Sequence, residues 1–308
     1  MTSATGLYGT PPSDLADIPH DAIQFSPLIP GAASLDKQPA ASLDAMTLLA
    51  PPGTIERRYA LAQALRTLKD GAPLIAMAPN DRGGTRLRKE LAAFGLEVNE
   101  ASKRHHRIVT AAKPPGIDDI IAQVIAEVIA DGGPRFDDEI ALWTQPGVFS
   151  WDRLDPGTHM LIEHLPALAG RGADFGCGIG ILARAVLASD AVTELALVDI
   201  DRRAIECAEH NLDTPRAKFL WHDLRDPHPG LTNLDFVVMN APFHDAGQED
   251  KGLAQAFVKR AHESLRKGGI CVMVANRHLP YEAVLTPLFK AVKPVIEDGG
   301  YKIYEARK

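Results

Sequence analysis

Apolar positions along this chain follow a strand-then-helix rhythm that is clearest in the second half. Short apolar runs at 172–175, 193–199, 217–221, 234–239, 269–275 and 300–306 have strand length. Between them, apolar residues at helical spacing predict helices at about 158–168, 180–188, 202–212 and 252–266. Such alternation predicts an α/β fold, a doubly wound, mostly parallel Rossmann-like sheet. Ligands of these sheets sit beyond the C-terminal strand ends, so the loops there are the places to look for chemistry.

The first half carries a smaller version of the pattern. Leu61, Leu65 and Leu68 recur at helical spacing, and Pro73–Ala78 is an apolar run of strand length. Asn80-Asp-Arg-Gly-Gly84 is turn chemistry, residues 85–94 form a second amphipathic helix that ends at Gly95, and Arg107–Ala111 reads as another strand. A small α/β domain over 41–130 is expected. Residues 1–40 hold six prolines and no apolar periodicity, which predicts an irregular or mobile arm. Pro114-Pro-Gly116 marks a boundary, a helix over about 117–130 follows, and Asp131-Gly-Gly-Pro134 stops it. The second domain is expected over 140–308, with a strand at 140–144.

Composition narrows the function. With 45% hydrophobic and 24% charged residues in 308, the chain can bury a core, which excludes a disordered or collagen-like protein. No stretch approaches the ~18 apolar residues of a membrane span, and no basic segment followed by an apolar one suggests a signal peptide. Cys177, Cys207 and Cys271 are too scattered for a disulfide framework or a zinc site. A cytoplasmic protein with no membrane and no metal is expected. Net charge is −7, but residues 54–113 carry 12 Lys and Arg against 6 Asp and Glu, a net +6 that leaves −13 for the rest. The total argues against a simple polyanion binder, and the basic segment is a positional clue that this total conceals.

The loop after the first strand of the second half reads Asp174-Phe-Gly176-Cys177-Gly178-Ile-Gly180. Its glycines permit a sharp bend and close ligand approach. A dinucleotide fingerprint would be G-x-G-x-x-G. Here the spacing is tighter, and the acid just before the loop repels a pyrophosphate but attracts a positive amino group. The next strand ends at Asp199, placed to accept from ribose hydroxyls. Asp223 follows the third, placed to accept from an adenine amino group. Three acids at successive strand ends describe a nucleoside with a cationic tail, which fits S-adenosyl-L-methionine (SAM).

The fourth strand runs into Asn240-Ala241-Pro242-Phe243-His244. The Asn240 side-chain carbonyl and the Ala241 backbone carbonyl can hold a planar exocyclic NH2, and Phe243 offers a face for stacking a base. An exocyclic amine is a poor nucleophile, so holding it in line is most of what a protein can supply. A turn with an Asn cap and a core Phe would have the same residues, and the site reading rests on their place one strand beyond the nucleoside loop.

From these motifs, residues 140–308 resemble the catalytic half of the ribosomal RNA small subunit methyltransferase C family. The resemblance is carried by Thr144-Gln-Pro-Gly-Val-Phe-Ser150, Leu154-Asp-Pro-Gly-Thr158, the glycine loop, Asn240-Ala-Pro-Phe-His-Asp245, Gly268-Gly269, Val274-Ala-Asn276, Leu279-Pro-Tyr281 and Tyr301-Lys-Ile-Tyr304. It implies a class I methyltransferase fold and methylation of the N2 amine of a guanine in RNA, with small-subunit (16S) ribosomal RNA or the 30S subunit as partner. It also implies a pocket in which Thr158, Cys177, Gly180 and Ile200 join the residues above. The family pattern is Asn-Pro-Pro-Phe; Ala241 keeps the carbonyl and loses the fixed φ of proline. Adenine N6, transfer RNA guanine N2 and protein glutamine are alternative amines, and a non-catalytic SAM-dependent RNA-binding factor is an alternative class.

The resemblance further implies that the first half is a degenerate methyltransferase copy that positions RNA, since Ala78-Pro-Asn-Asp-Arg-Gly-Gly84 and Ser102-Lys-Arg-His-His-Arg107 look like family segments and no glycine loop of this type precedes residue 170. Arg82, Arg86, Lys103, Arg104 and Arg107 are the expected phosphate contacts; a solvated basic face is the plainer alternative. Cys177 reads as a small packed residue, and His159 with Glu163 as surface.

Overall fold

Two units emerge from this alternation, Met1–Gly133 and Pro134–Lys308, each with its own mixed sheet. The structure is a computed structural model, and it describes residues 4–116, 119–240, 244–245, 248–249 and 251–308.

In the first unit, strands β1 (Thr5–Tyr8), β2 (Ile23–Gln24), β3 (Ala45–Leu49), β4 (Pro73–Pro79), β5 (Val98–Lys103) and β6 (His106–Ala112) lie in the order β2-β1-β3-β4-β6-β5. Helices α1 (Thr54–Thr67), α2 (Gly84–Ala92) and α3 (Asp119–Gly132) accompany them, with a 3-10 turn at Asn80–Arg82. Residues 4–40, expected to be irregular, differ from that expectation in part. They are mostly turns, yet β1 pairs in parallel with both β2 and β3, and Tyr8, Phe25 and Leu35 are buried in the core with Leu43, Leu48 and Leu61. Apolar side chains that close one sheet edge hold this segment despite its prolines.

In the second unit, strands β7 (Arg135–Asp137) and β8 (Leu142–Thr144) form a separate ribbon. The main sheet contains β9 (Gly170–Phe175), β10 (Val192–Asp199), β11 (Ala217–Trp221), β12 (Leu234–Asn240), β15 (Leu265–Asn276), β16 (Ala291–Asp298) and β17 (Tyr301–Arg307), in the order β11-β10-β9-β12-β15-β17-β16. A small pair, β13 (His244–Asp245) with β14 (Gln248–Glu249), intervenes. Helices α4 (Pro156–Glu163), α5 (Ile181–Leu187), α6 (Arg202–Asn211), α7 (Lys251–Ser264) and α8 (Tyr281–Leu285) cover the sheet. The first five strands in that order are parallel, and β17 pairs antiparallel with β15 and β16. This is a doubly wound Rossmann-like sheet closed by an antiparallel hairpin.

The two sheets share a topology. β3 and β4 are parallel neighbours followed by the antiparallel β6 and β5, as β12 and β15 are followed by β17 and β16. The first unit has one parallel strand fewer, with no counterpart of β11.

Candidate active site

Strand parity puts the chemistry on one face of the second sheet. Along β12, Val237 and Met239 pack with Phe257 and Ala261 of α7, whereas Phe236 and Val238 pack with Leu161 of α4 and Ala183 of α5. Asn240 follows the parity of Val238. Register sets Val238 opposite Asp174 and Asp174 opposite Leu197, so Asp174, Asp199 and Asn240 share the α4–α5 face at the C-terminal strand ends.

A pocket opens there. Its walls are Asp155, Thr158, Asp174, Gly176, Cys177, Gly178 and Asn240, with Phe149, Ser150, Ile179, Ile181 and Leu182. Gly176 and Gly178 have φ of 73° and 52°, in the left-handed region that favours glycine. A Cβ on Gly178 would meet nothing nearer than the Phe149 carbonyl at 3.9 Å, so the loop has open space above it for a ligand. Gly180 turns the chain into α5 against Ala208 and Leu212.

Asp174 is 1% exposed, and neither carboxylate oxygen has a hydrogen-bond partner among the described residues. Burial pushes its pKa to about 8, the nearby Asp199 charge adds to this, and the Ala183 amide offsets part of it without reaching hydrogen-bond geometry. An orphaned carboxyl under an open glycine loop fits a cationic ligand group. Asp199 is pushed to about 6 by burial. It accepts from the Gly178 amide through Oδ2 and the Asp201 amide through Oδ1, both at 2.9 Å, which leaves a further lone pair on each oxygen. The Ile200 carbonyl accepts from Trp221 Nε1 at 2.8 Å, which ties this strand end to β11. Cys177 is buried and its thiol is held well above the usual range by burial, so it is inert packing.

Asp223 is placed differently from the other acids. Arg225 grips its carboxylate with Nη2 at 2.6 Å and Nε at 3.0 and 2.9 Å. Burial pushes its pKa up, but Arg225 outweighs that and holds it below the usual value.

Asn240 is held firmly. Its Nδ2 donates to Asp155 Oδ2 and to Thr158 Oγ1, both at 2.8 Å. Asp155 is also the N-cap of α4, accepting from the Thr158 amide at 2.8 Å, with Pro156 at the first helical position. Among the described residues no donor reaches Asn240 Oδ1. Ala241, Pro242 and Phe243 lie outside the described residues. Sequence reading missed Asp155, Phe149 and Ser150 as pocket walls. Asp-Pro-x-Thr signals a helix start, but its approach to Asn240, 85 residues away, has no local signature. His159 Nδ1 lies 3.7 Å from Glu163 Oε2, and both side chains are exposed.

In the first unit, the Asn80 amide donates to the His105 carbonyl at 2.8 Å, which puts the turn that holds Arg82 beside the β5–β6 hairpin that holds Lys103, Arg104 and Arg107. Several of these cations have acidic partners. Arg104 Nε lies 2.8 Å from Asp14, Lys103 bonds the Asp14 carbonyl, and Arg107 lies 3.3 Å from Glu100. Arg86 donates to Thr54 Oγ1 at 3.0 Å.

Among the described residues no helix is long and apolar enough to cross a membrane, and no group of three or more His, Cys, Asp and Glu could hold a metal ion.

Residues 139–305 match the methyltransferase small domain family. A ribosomal RNA small subunit methyltransferase C from Shewanella loihica is 33% identical over 272 residues, 87% of this chain and 78% of that protein. A protein of the same name from Shewanella halifaxensis is 30% identical over 85% of this chain and 77% of its own length. A solved 16S rRNA N2 methyltransferase from T. thermophilus, in complex with AdoMet and guanosine, aligns with a TM-score of 0.79 at 22% identity, covering 100% of this chain and 89% of that one. The class I methyltransferase fold expected from the sequence is the fold observed.

Proposed function

This chain belongs to the ribosomal RNA small subunit methyltransferase C family, and from that premise we propose that it methylates the exocyclic N2 amine of a guanine in small-subunit ribosomal RNA, with SAM as methyl donor. The observation that carries the reading is the juxtaposition, in one pocket, of a buried Asp174 and an Asn240 whose carboxylate and amide oxygens have no donor among the described residues.

SAM supplies an activated methyl group on a sulfonium that leaves as a neutral thioether. The chain's own residues do the rest. Asp174 receives the cationic amino end, Gly176 and Gly178 allow close approach, and Asp199 accepts from ribose hydroxyls with its remaining lone pairs. Thr158 Oγ1 accepts from Asn240, which leaves its own proton for the cofactor end of the pocket. Asp223 serves the adenine only by releasing Arg225, so its share is smaller than that of Asp199. Asn240 Oδ1 and the Ala241 carbonyl accept hydrogen bonds from the two amine N–H groups and hold the nitrogen in line; Pro242 and Phe243 shape and stack the base. The methylated amine then loses its proton to water. The guanine leaves its stack to enter, at a cost of a few kcal/mol, which RNA loops and bulges reduce.

The first unit is a methyltransferase copy without the site. β3 occupies the place of β12 and is followed by Ala50-Pro-Pro-Gly53, so Ala50 stands where Asn240 stands. The same alignment puts Tyr8, opposite Leu48, in the place of Asp174, opposite Val238. The fully buried Arg57 donates to the Pro51 and Pro52 carbonyls at 3.2 and 2.7 Å, where the second unit would hold an amine. With neither an acid in the place of Asp174 nor an amide in the place of Asn240, this unit binds RNA backbone through Arg82, Arg86, Lys103, Arg104 and Arg107.

The test is direct. Purified protein is incubated with labelled SAM and small-subunit ribosomal RNA or 30S subunits, and the RNA is digested to nucleosides. Label in N2-methylguanosine is expected; label in N6-methyladenosine, or none in RNA, would overturn the reading.

A further inference from the structure

We propose that Asp155 is a positioning residue that sets which edge of the Asn240 amide faces the substrate, and thereby restricts the site to groups that donate hydrogen bonds. The inference rests on the reading of Asn240 as the acceptor of the target amine.

A primary amide has an oxygen edge that only accepts and an NH2 edge that only donates. Turned by 180°, Asn240 would present NH2 and select an acceptor such as a ring nitrogen or a base carbonyl. Nothing in β12 itself chooses between the two orientations. Asp155 does, because an ionised carboxylate has lone pairs and no proton to offer. Its Oδ2 lies 2.8 Å from Asn240 Nδ2, so the edge towards α4 must be the NH2 edge. A flip would set two acceptor oxygens against each other at that distance. Thr158 Oγ1, also at 2.8 Å, takes the second NH2 proton. Thr158 is tolerant, since a hydroxyl can donate or accept, and so it cannot impose the orientation alone. With both amide protons engaged, Oδ1 is left pointing away from α4.

The same Asp155 oxygen accepts from the Thr158 amide as the N-cap. Two donors on one oxygen hold the carboxylate in one rotamer, and Pro156 at the first helical position fixes the backbone that carries it. The helix start is therefore the rigid reference against which the amide is oriented. Position with respect to an acceptor of this kind matters, because the acceptor's task is orientation of a weak nucleophile.

Removal of Asp155 must be separated from loss of the cap. Serine is a good N-cap but is too short to reach Asn240, so Asp155→Ser keeps the helix start and frees the amide. In Asp155→Asn the Thr158 amide, as cap donor, holds the side-chain oxygen in the place of Oδ2, so an acceptor still faces Asn240 and this variant is the conservative rescue. Three quantities are measured on the full chain: single-turnover methyl transfer, SAM affinity by calorimetry, and thermal midpoint. The expected result for Asp155→Ser is a roughly 10- to 100-fold slower single turnover, the range of one charge-assisted hydrogen bond, with SAM affinity and midpoint close to wild type. Asp155→Asn should recover most of the rate. A wild-type rate in Asp155→Ser overturns the proposal. So does an equal loss in both variants, which would mean that charge matters and orientation does not. A fall in SAM affinity parallel to the rate overturns it too, by assigning Asp155 to the cofactor. Asn240→Ala is the control on the premise. If Asn240→Ala is inactive and Asp155→Ser is normal, only the positioning role fails; if Asn240→Ala is normal, the amine-acceptor reading fails and this proposal with it.

Discussion

SAM binding should take a proton off Asp174, and the affinity should therefore climb steeply with pH. Without cofactor, burial keeps this carboxyl at a pKa of about 8, with the Asp199 charge as second cause. A cationic amino group binds the ionised form, so each binding event below pH 8 must displace a proton. For a group with this pKa, the ionised fraction rises from about 1% at pH 6 to about 9% at pH 7, which is an affinity gain of about tenfold. Asp199, at about 6, goes from about half to about nine-tenths ionised over the same interval and adds up to about another factor of two. An α-amino group titrates near ~7.8, so the ligand stays mostly charged in this window and does not confuse the slope. Titration calorimetry at pH 6, 6.5 and 7, in two buffers of different ionisation enthalpy, reads both affinity and protons released. Wild type should gain about 10- to 20-fold in affinity and release about 1.5 protons at pH 6, falling to about one at pH 7. Asp174→Asn should lose nearly all of the slope and keep only the shallow Asp199 part. A wild-type affinity that changes no more than about twofold across this window, or an equal slope in Asp174→Asn, would refute the coupling.

Asp174 should also cost the cofactor-free protein stability. A carboxyl whose folded pKa is raised binds more protons folded than unfolded, so stability falls as pH rises between about 4 and about 8. Asp174→Asn should raise the cofactor-free midpoint at pH 7.5 by several degrees, ~2–4 °C for each kcal/mol recovered; an unchanged midpoint in a calorimetric scan argues against a desolvated acid. Asn240→Ala should leave SAM binding nearly intact and slow single-turnover transfer by at least ~100-fold, and a loss of only a few-fold would exclude the amine clamp. Asp199→Ala should weaken SAM by about 1.5–3 kcal/mol, measured by calorimetry, whereas Asp223→Ala should cost less than about 1 kcal/mol because Arg225 already occupies that carboxylate. Replacing Lys103, Arg104 and Arg107 together with Ala should lower the slope of log affinity for substrate RNA against log salt, by roughly 0.7–0.9 for each phosphate that these cations neutralise; an unchanged affinity and slope would leave only a solvated basic face.

Much of the second unit was legible from local pattern. Strands β9, β10, β12 and β15 are buried on both faces for most of their length, so they read as apolar runs, and helices between them keep 3.6-residue periodicity. The glycine loop was legible because left-handed backbone restricts residue choice at Gly176 and Gly178. Asn240 was legible because it ends a clear strand one place from that loop. The edge strand β11 was legible at 217–221, but the other edges were not. β16 holds Pro294 and is mostly exposed, and β5 is polar on its outer side, so neither shows strand alternation. β1 is four residues long in a proline-rich segment, and only its pairing with β2 and β3 makes it a strand. At the basic hairpin tip, Arg104 and His105 take φ of 46° and 59° without glycine, so no turn residue announced it.

Side-chain partners across the fold were decided by tertiary structure alone. Sequence named Asp174 as an acid beside a loop; burial on the α4–α5 face made it an orphaned carboxyl with a shifted pKa. Sequence placed three acids at successive strand ends; Arg225 sets Asp223 apart from the others. Basic residues were counted as free charge, yet Asp14, 89 positions before Lys103, pairs with two of them. The amide of Asn240 acquires its orientation from Asp155 across 85 residues. The physical reason is common to all four. Backbone conformation is chosen by each residue and its near neighbours, whereas a charge, a lone pair or an amide edge takes its meaning from the group that sheet register and helix packing bring within ~3 Å.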